Sequence, residues 1–176
     1  MLLPLFSLPS DYGVGAMGKA AYEFIDFLSD AEQSWWQILP VGPTGYGDSP
    51  YSGFSTFAGN PYFIDLDLLV EAGLLKEEEL QNVDFGQNRQ KVDYEKQYAN
   101  RLPLLRKAAA RGLNRDTTNF ENFRRENGRW LEPYALFMAL RDHFEGQPWM
   151  EWPDDIRLRR PEAVERCTRE LKADVD

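Results

Sequence analysis

The run Gly45-Tyr46-Gly47-Asp48-Ser49-Pro50-Tyr51 places two phenols around a carboxylate and a hydroxyl, on a backbone of glycine and proline. That set has the chemistry of sugar recognition. A pyranose offers flat apolar faces ringed by hydroxyls, so an aromatic ring stacks on the face while carboxylates and hydroxyls take the rim. Tyr46 and Tyr51 are the candidate platforms, and Asp48 and Ser49 the candidate hydroxyl partners. Pro50 fixes its own φ and the glycines permit sharp reversals, so the loop can hold these side chains rigidly. The competing reading is packing. Tyr51, Phe54 and Phe57 would then fasten the loop to the fold, the more so for Phe54 and Phe57, which have no polar handle.

Other reactive residues carry less. His143 is the only histidine and falls near the end of a helical stretch, with no second His and no Cys beside it, so neither a metal site nor a catalytic triad is expected. Cys167 is the single cysteine and reads as a core residue. Asp65 and Asp67 read as a strand end, and Asp67 equally as a helix N-terminal residue. No pair of carboxylates is placed for glycosidic acid/base work. Gly13-Val14-Gly15-Ala16-Met17-Gly18 spells G-x-G-x-x-G, a pattern shared with nucleotide-dependent oxidoreductases. Dinucleotide binding requires those glycines to begin where the first strand ends, and an acid at the end of the second strand. Here a loop separates Phe6 from Gly13, and the second strand ends Gln37-Ile38-Leu39-Pro40. A tight turn and close helix packing account for the glycines better.

The elements that must position the loop follow from periodicity. Leu2–Phe6 reads as a short buried strand. Met17, Ala20, Ala21, Phe24, Phe27, Leu28 and Ala31 keep helical spacing. Trp35–Pro40 reads as a second strand, which makes a βαβ unit with parallel strands. The loop 41–61 follows it, at the strand end where α/β folds place ligands. A loop of that length inside a compact domain is functional or disordered, and its aromatics argue for order. Past Leu66 the pattern is helical. A short helix from Asp67 stops at Gly73, and Lys76–Leu80 forms a polar turn. Tyr94–Ala110 is helical with a break near residue 102 ahead of Pro103. Phe120 and Phe123 mark a helix over 117–126, and Pro133 opens a helix reaching Phe144. Residues 148–153 read as extended, and Pro161 opens a last helix with Val164, Cys167 and Leu171 inward.

The composition limits the partners. The net charge is −9, and residues 1–100 hold 5 Lys/Arg against 15 Asp/Glu. An acidic half carrying the candidate site excludes nucleic acid and disfavours phosphorylated substrates. A neutral polyhydroxyl ligand fits. No membrane span and no signal peptide are visible, and a single cysteine suits a reducing compartment, so a cytoplasmic protein is expected. Two parallel strands do not close a fold, and a (β/α)8 barrel takes roughly 250 residues. The chain therefore reads as the start of a larger enzyme, or else as a small complete α+β domain.

The sequence resembles the 4-α-glucanotransferases called amylomaltases or disproportionating enzymes, glycoside hydrolase family 77. The residues that carry this are Ser7-Leu8-Pro9, Tyr12–Gly15, the run Trp36–Tyr51 with its GYGDSPY ending, and Phe57-Ala58-Gly59-Asn60-Pro61-Tyr62. Val92-Asp93-Tyr94, Trp130-Leu131-Glu132, Tyr134–Leu140, Pro148-Trp149 and Trp152-Pro153 continue it.

The resemblance implies an α/β fold: the N-terminal part of an interrupted (β/α)8 TIM barrel, with its first two βα units in residues 1–66 and a largely helical insertion subdomain in 67–176. It implies transfer of α-1,4-glucan segments between malto-oligosaccharides by a retaining double displacement, with no cofactor and no metal. Tyr51 would stack in the donor site, with Asp48 and Ser49 on the same loop. Tyr46 and Tyr98 would belong to a second glucan-binding groove. The family's nucleophilic Asp, acid/base Glu and stabilising Asp come from later strands, so no residue here inherits a catalytic role. The chain alone is expected to be inactive, its partner being the remaining C-terminal part of the barrel. A stand-alone α-glucan-binding module is the rival expectation.

Overall fold

The apolar spacing after Gly18 yields a helix, α1, at Lys19–Asp30. In the computed structural model, which describes residues 1–45, 47–86, 88, 90–115 and 117–175, α1 buries Ala21 and Leu28. Ala21 joins a core cluster with Leu5, Leu8 and Phe63, and Ala20, Phe24 and Trp36 pack against it. Met17 and Phe27, expected on the same face, are exposed.

Neither expected strand forms. Among the described residues β pairing amounts to two isolated bridges, Leu2 with Gln37 (parallel) and Thr44 with Gly53 (antiparallel). The parallel direction is the one the βαβ pattern predicts. The Leu3 amide donates to the Gln37 carbonyl at 3.1 Å, and the Gln37 amide to the Met1 carbonyl at 2.8 Å. The ladder goes no further for two reasons. Pro4 and Pro40 have no N–H to give, and a parallel pair is stable only between neighbouring strands and under helices. Leu5–Ser7 winds into a 3-10 turn instead. The structure is thus mostly helical, and it does not itself display the barrel sheet.

Two compact units result, Met1–Thr117 and Thr118–Asp176. The expected division after residue 66 falls inside the first. There α2 (Leu66–Glu71) is capped by Asp65, whose carboxylate accepts from the Leu68 amide at 3.0 Å. It ends, as expected, at Gly73, which adopts φ +65. The short α3 (Glu77–Leu80) is tied to a later helix by Glu79, which accepts from Arg111 at 2.6 and 2.8 Å and from Lys107 at 3.0 Å.

The break foreseen ahead of Pro103 is a π turn. Helix α4 (Tyr94–Lys96) runs into a wide turn at Gln97–Arg101, and α5 (Leu102–Gly112) continues from it. Pro103 has no N–H for the Ala99 carbonyl, and its ring would collide with that carbonyl in a regular α-helix. Widening the preceding turn to i→i+5 removes the collision. Leu66, Leu75, Phe85, Leu104 and Ala108 form the core between these helices.

In the second unit the two expected helices are one, α6 (Thr118–His143), with Pro133 in its interior rather than its first turn. The helix carries across the proline because its flanks are held by packing. Leu136 and Leu140 are buried with Trp152, Ile156, Ala163 and Cys167. On another face Phe123, Trp130 and Tyr134 form an aromatic chain, with ring centroids 6.3 and 6.5 Å apart. Residues 148–153 are not extended. Trp149–Glu151 is a 3-10 turn, and Trp152 turns inward to donate from Nε1 to the Gln147 carbonyl at 3.1 Å. Helix α7 (Asp154–Arg157) follows, then α8 (Pro161–Glu170), whose Ala163 and Cys167 are buried, and α9 (Lys172–Val175). No helix among the described residues is long and apolar enough to cross a membrane.

Candidate functional site

The aromatic loop is tied at its foot, waist and tip. At the foot the Asn60 amide donates to the Val41 carbonyl at 2.8 Å. Asn60 itself is buried, and its side chain accepts from the Tyr62 amide at 2.9 Å. At the waist Phe54 donates to Pro43 at 3.1 Å and Gly45 to Ser52 at 2.9 Å, the bonds of the Thr44–Gly53 bridge. At the tip the Ser52 amide donates to the Ser49 carbonyl at 3.0 Å, closing a four-residue turn with Pro50 second and Tyr51 third. Proline favours that second position because its φ is already set.

Tyr51 stands outward on this turn, 74% exposed. Ser49 lies at its start, and its hydroxyl accepts from the Tyr51 amide at 3.4 Å. Asp48 adopts φ +52, which side chains rarely take, and its carboxylate accepts from the Thr44 hydroxyl at 3.2 Å. Tyr46 lies outside the described residues. Phe57, expected to pack inward, is instead 71% exposed, on a turn where the Ser55 hydroxyl accepts from the Phe57 and Ala58 amides at 3.1 Å each. Tyr98 is carried by a different element, the π turn, and is 54% exposed. The structure therefore joins Asp48, Ser49 and Tyr51 in one hairpin, with Tyr98 on α4's continuation.

The first unit also holds a polar joint that sequence reasoning missed. Gln97 and Arg101 are wholly buried. Gln97 donates from Nε2 to the carbonyls of Tyr12 at 2.8 Å and Phe85 at 2.9 Å. Arg101 donates from Nη2 to the Ile64 carbonyl at 2.7 Å. Burial pulls the Arg101 guanidinium down to about 10, against the opposing pull of the Asp65 carboxylate. The Tyr12 hydroxyl donates to Asp67, and burial, with that carboxylate, holds its proton on well above the usual range. The signal that pointed here was Pro103, which marks the wide turn that carries both buried residues.

The glycine motif belongs to the same joint. A Cβ on Gly13 would stand 2.1 Å from the Phe85 carbonyl oxygen, on Gly15 2.2 Å from that of Leu5, and on Gly18 1.8 Å from an Asp65 carboxylate oxygen. The Gly15 amide donates to Phe6 and the Met17 amide to Phe63. A phosphate at the start of α1 would meet the Asp65 carboxylate packed against Gly18. The motif serves packing, and dinucleotide binding is set aside.

A cleft of about 540 Å³ opens beside Tyr12, lined by Asp65, Asp67, Glu71 and Glu77 with Lys19. Among the described residues no group of three or more His, Cys, Asp or Glu is placed to hold a metal ion. Cys167 is a buried free thiol, and the His143 ring packs edge-on against Phe144 at the end of α6.

Residues 3–176 match the family model described as 4-alpha-glucanotransferase. A 4-alpha-glucanotransferase of Streptococcus pneumoniae is 49% identical over 173 residues, covering 97% of this chain and 34% of the relative. One from Thermus thermophilus is 45% identical over 180 residues, covering 99% of this chain and 35% of the relative. Among solved structures, an amylomaltase from Streptococcus agalactiae in complex with acarbose superposes with a TM-score of 0.93 at 39% identity, covering 99% of this chain and 36% of that one. The chain spans about a third of the length of the relatives it matches.

Proposed function

This chain belongs to the 4-alpha-glucanotransferase family, and we propose that it supplies the glucan-holding part of an enzyme that moves α-1,4-glucan segments between malto-oligosaccharides. In that reaction a carboxylate displaces the donor's leaving glucan to form a glycosyl-enzyme. The 4-hydroxyl of an acceptor glucan then displaces the carboxylate, with net retention. Residues 1–66 are read as the first two βα units of an interrupted (β/α)8 barrel and 67–176 as its helical insertion. The Leu2–Gln37 bridge supports that reading, because it has the parallel register of adjacent barrel strands. The further strands and the three catalytic carboxylates belong to the rest of the enzyme. No cofactor enters the chemistry, and the free Cys167 fits the cytoplasm.

One observation carries the reading: Tyr51 is exposed on a turn that backbone hydrogen bonds hold in place. Such a ring is a ready platform for a pyranose face, with Asp48 and Ser49 available to its hydroxyls. Tyr98, with Tyr46, is read as a second contact for a longer glucan. The test uses two measurements on the 176-residue chain. Titration with maltoheptaose or acarbose is expected to quench Tyr and Trp fluorescence saturably. Incubation with maltotriose is expected to give no glucose and no longer glucan. Disproportionation of maltotriose by this chain would overturn the assignment of the catalytic carboxylates elsewhere. Absence of any saturable glucan signal would overturn the platform.

A further inference from the structure

Arg101 fills core space at a cost in free energy. It is fully buried, and burial pulls its pKa down to about 10, so it is still a cation at neutral pH. Taking a charge out of water is offset only where hydrogen bonds satisfy it. Here Nη2 donates to the Ile64 carbonyl at 2.7 Å, while Nε and Nη1 find no hydrogen-bond partner among the described residues. A methionine would occupy the same space without that penalty. Stability therefore does not account for an arginine at this position. The place of its bond does.

That bond joins two segments, each of which presents an exposed phenol. Arg101 closes the π turn Gln97–Arg101, whose second residue is the exposed Tyr98. Other side chains hold this turn to segments away from the aromatic loop. Gln97 donates to Tyr12 and Phe85, Asn100 Nδ2 donates to the Asp84 carbonyl at 2.7 Å, and Lys96 Nζ lies 2.7 Å from the Asp84 carboxylate. The Ile64 bond reaches the loop's foot. The Ile64 amide donates to the Pro61 carbonyl at 3.2 Å and the Phe63 amide to the Asn60 carbonyl at 3.0 Å. Asn60 in turn closes the foot onto Val41.

We propose that Arg101 is a positioning residue that sets glucan-length selectivity: it clamps the Tyr98 turn to the foot of the loop that carries Tyr51, and so fixes the spacing of two sugar platforms. The proposal rests on the glucan-platform reading. A long glucan that touches both rings makes its second contact intramolecularly, and that contact adds affinity only while the spacing holds. A short glucan touches one ring and gains nothing from the clamp. Loosening the clamp therefore weakens long glucans and leaves short ones alone.

The test compares maltoheptaose with maltotriose by fluorescence titration of the 176-residue chain. The variants are Arg101→Met, which keeps the bulk and removes the donor, Arg101→Lys, which keeps a cationic donor, and Tyr98→Ala, a surface change that removes one platform outright. The parent is expected to favour maltoheptaose at least tenfold. Arg101→Met is expected to cut that preference at least threefold with maltotriose affinity held within twofold, Arg101→Lys to restore part of it, and Tyr98→Ala to cut it at least as far as Arg101→Met. Arg101→Met combined with Tyr98→Ala is expected to do no more than Tyr98→Ala, because both act on the same second contact. Amide exchange at Asn60 and Phe63, read without sugar, is expected to rise at least threefold in Arg101→Met while exchange inside α1 stays level. Unchanged exchange at the foot, an equal loss for both sugars, or a preference that survives either Arg101→Met or Tyr98→Ala would each overturn the proposal. A parent that binds neither sugar would overturn the platform reading and this role with it. A parent that binds both, with no change in exchange on losing the guanidinium, would sink the clamp alone.

Discussion

Gln97 and Tyr12 are 85 positions apart, and the Gln97 side chain donates to the Tyr12 carbonyl at 2.8 Å. The same amide nitrogen donates to Phe85 at 2.9 Å. One buried side chain thus fastens the glycine segment, the turn before α4 and the π turn to each other. Replacement by Ala leaves two backbone carbonyls without that donor. Each buried group so orphaned costs about 1–3 kcal/mol. Gln97→Ala is therefore expected to lower the urea midpoint sharply, and Gln97→Met to lower it as well, since Met restores volume but not donors. A Met variant as stable as the parent would refute the role given to the amide.

Tyr51→Ala touches no core. Surface changes away from such features usually stay within about 0.5 kcal/mol, so the denaturation midpoint is expected to hold. Glucan affinity is expected to fall about three- to tenfold, the range an aromatic contact worth about 0.5–1.5 kcal/mol provides. Fluorescence titration decides it, with Tyr51→Trp expected to retain affinity.

Two glycines with the same backbone sign differ in their surroundings. Gly47 adopts φ +80 with no described atom within 4 Å of the place a Cβ would take, whereas Gly13 adopts φ +74 with the Phe85 carbonyl oxygen 2.1 Å from that place. Gly47→Ala carries backbone strain alone, about 1–2 kcal/mol. Gly13→Ala adds an overpacking term of about 1–3 kcal/mol. Equal losses in a denaturant series would show that the close approach at Gly13 is not a constraint.

Glu79 gives the acid side of the stability profile. The Arg111 and then the Lys107 hydrogen bonds hold its carboxyl well below its ordinary value of 4.5. A depressed folded-state pKa contributes stability above the unfolded value and loses it as pH falls. The parent chain is expected to lose stability as pH drops below 4.5, and Glu79→Gln to show a shallower fall over that window. Parallel curves from the two proteins would remove Glu79 from the account.

Much of this is legible in order along the chain. The spacing after Gly18 sets α1, Gly73 ends α2, and Pro103 announces a break in the helix that follows Asp93. The GYGDSPY run by itself points to a rigid aromatic turn. These are local matters, decided by side-chain volume, φ restrictions and missing N–H groups within a few residues. Pro133 misleads for the same reason. Its local preference is for a first turn, but packing of Leu136 and Leu140 below it and of Trp130 and Tyr134 around it carries the helix through.

Sequence by itself determined the family, the course of the helices and the chemical character of the loop, because each is written in residue types at short spacing. Tertiary structure alone decided that the glycine motif is a packing joint and that Gln97 and Arg101 meet segments distant in the chain. Those relationships depend on which surfaces the folded backbone brings together. Pairing of that kind leaves no periodic trace, since the free energy comes from burial and hydrogen bonds between residues that the sequence keeps far apart.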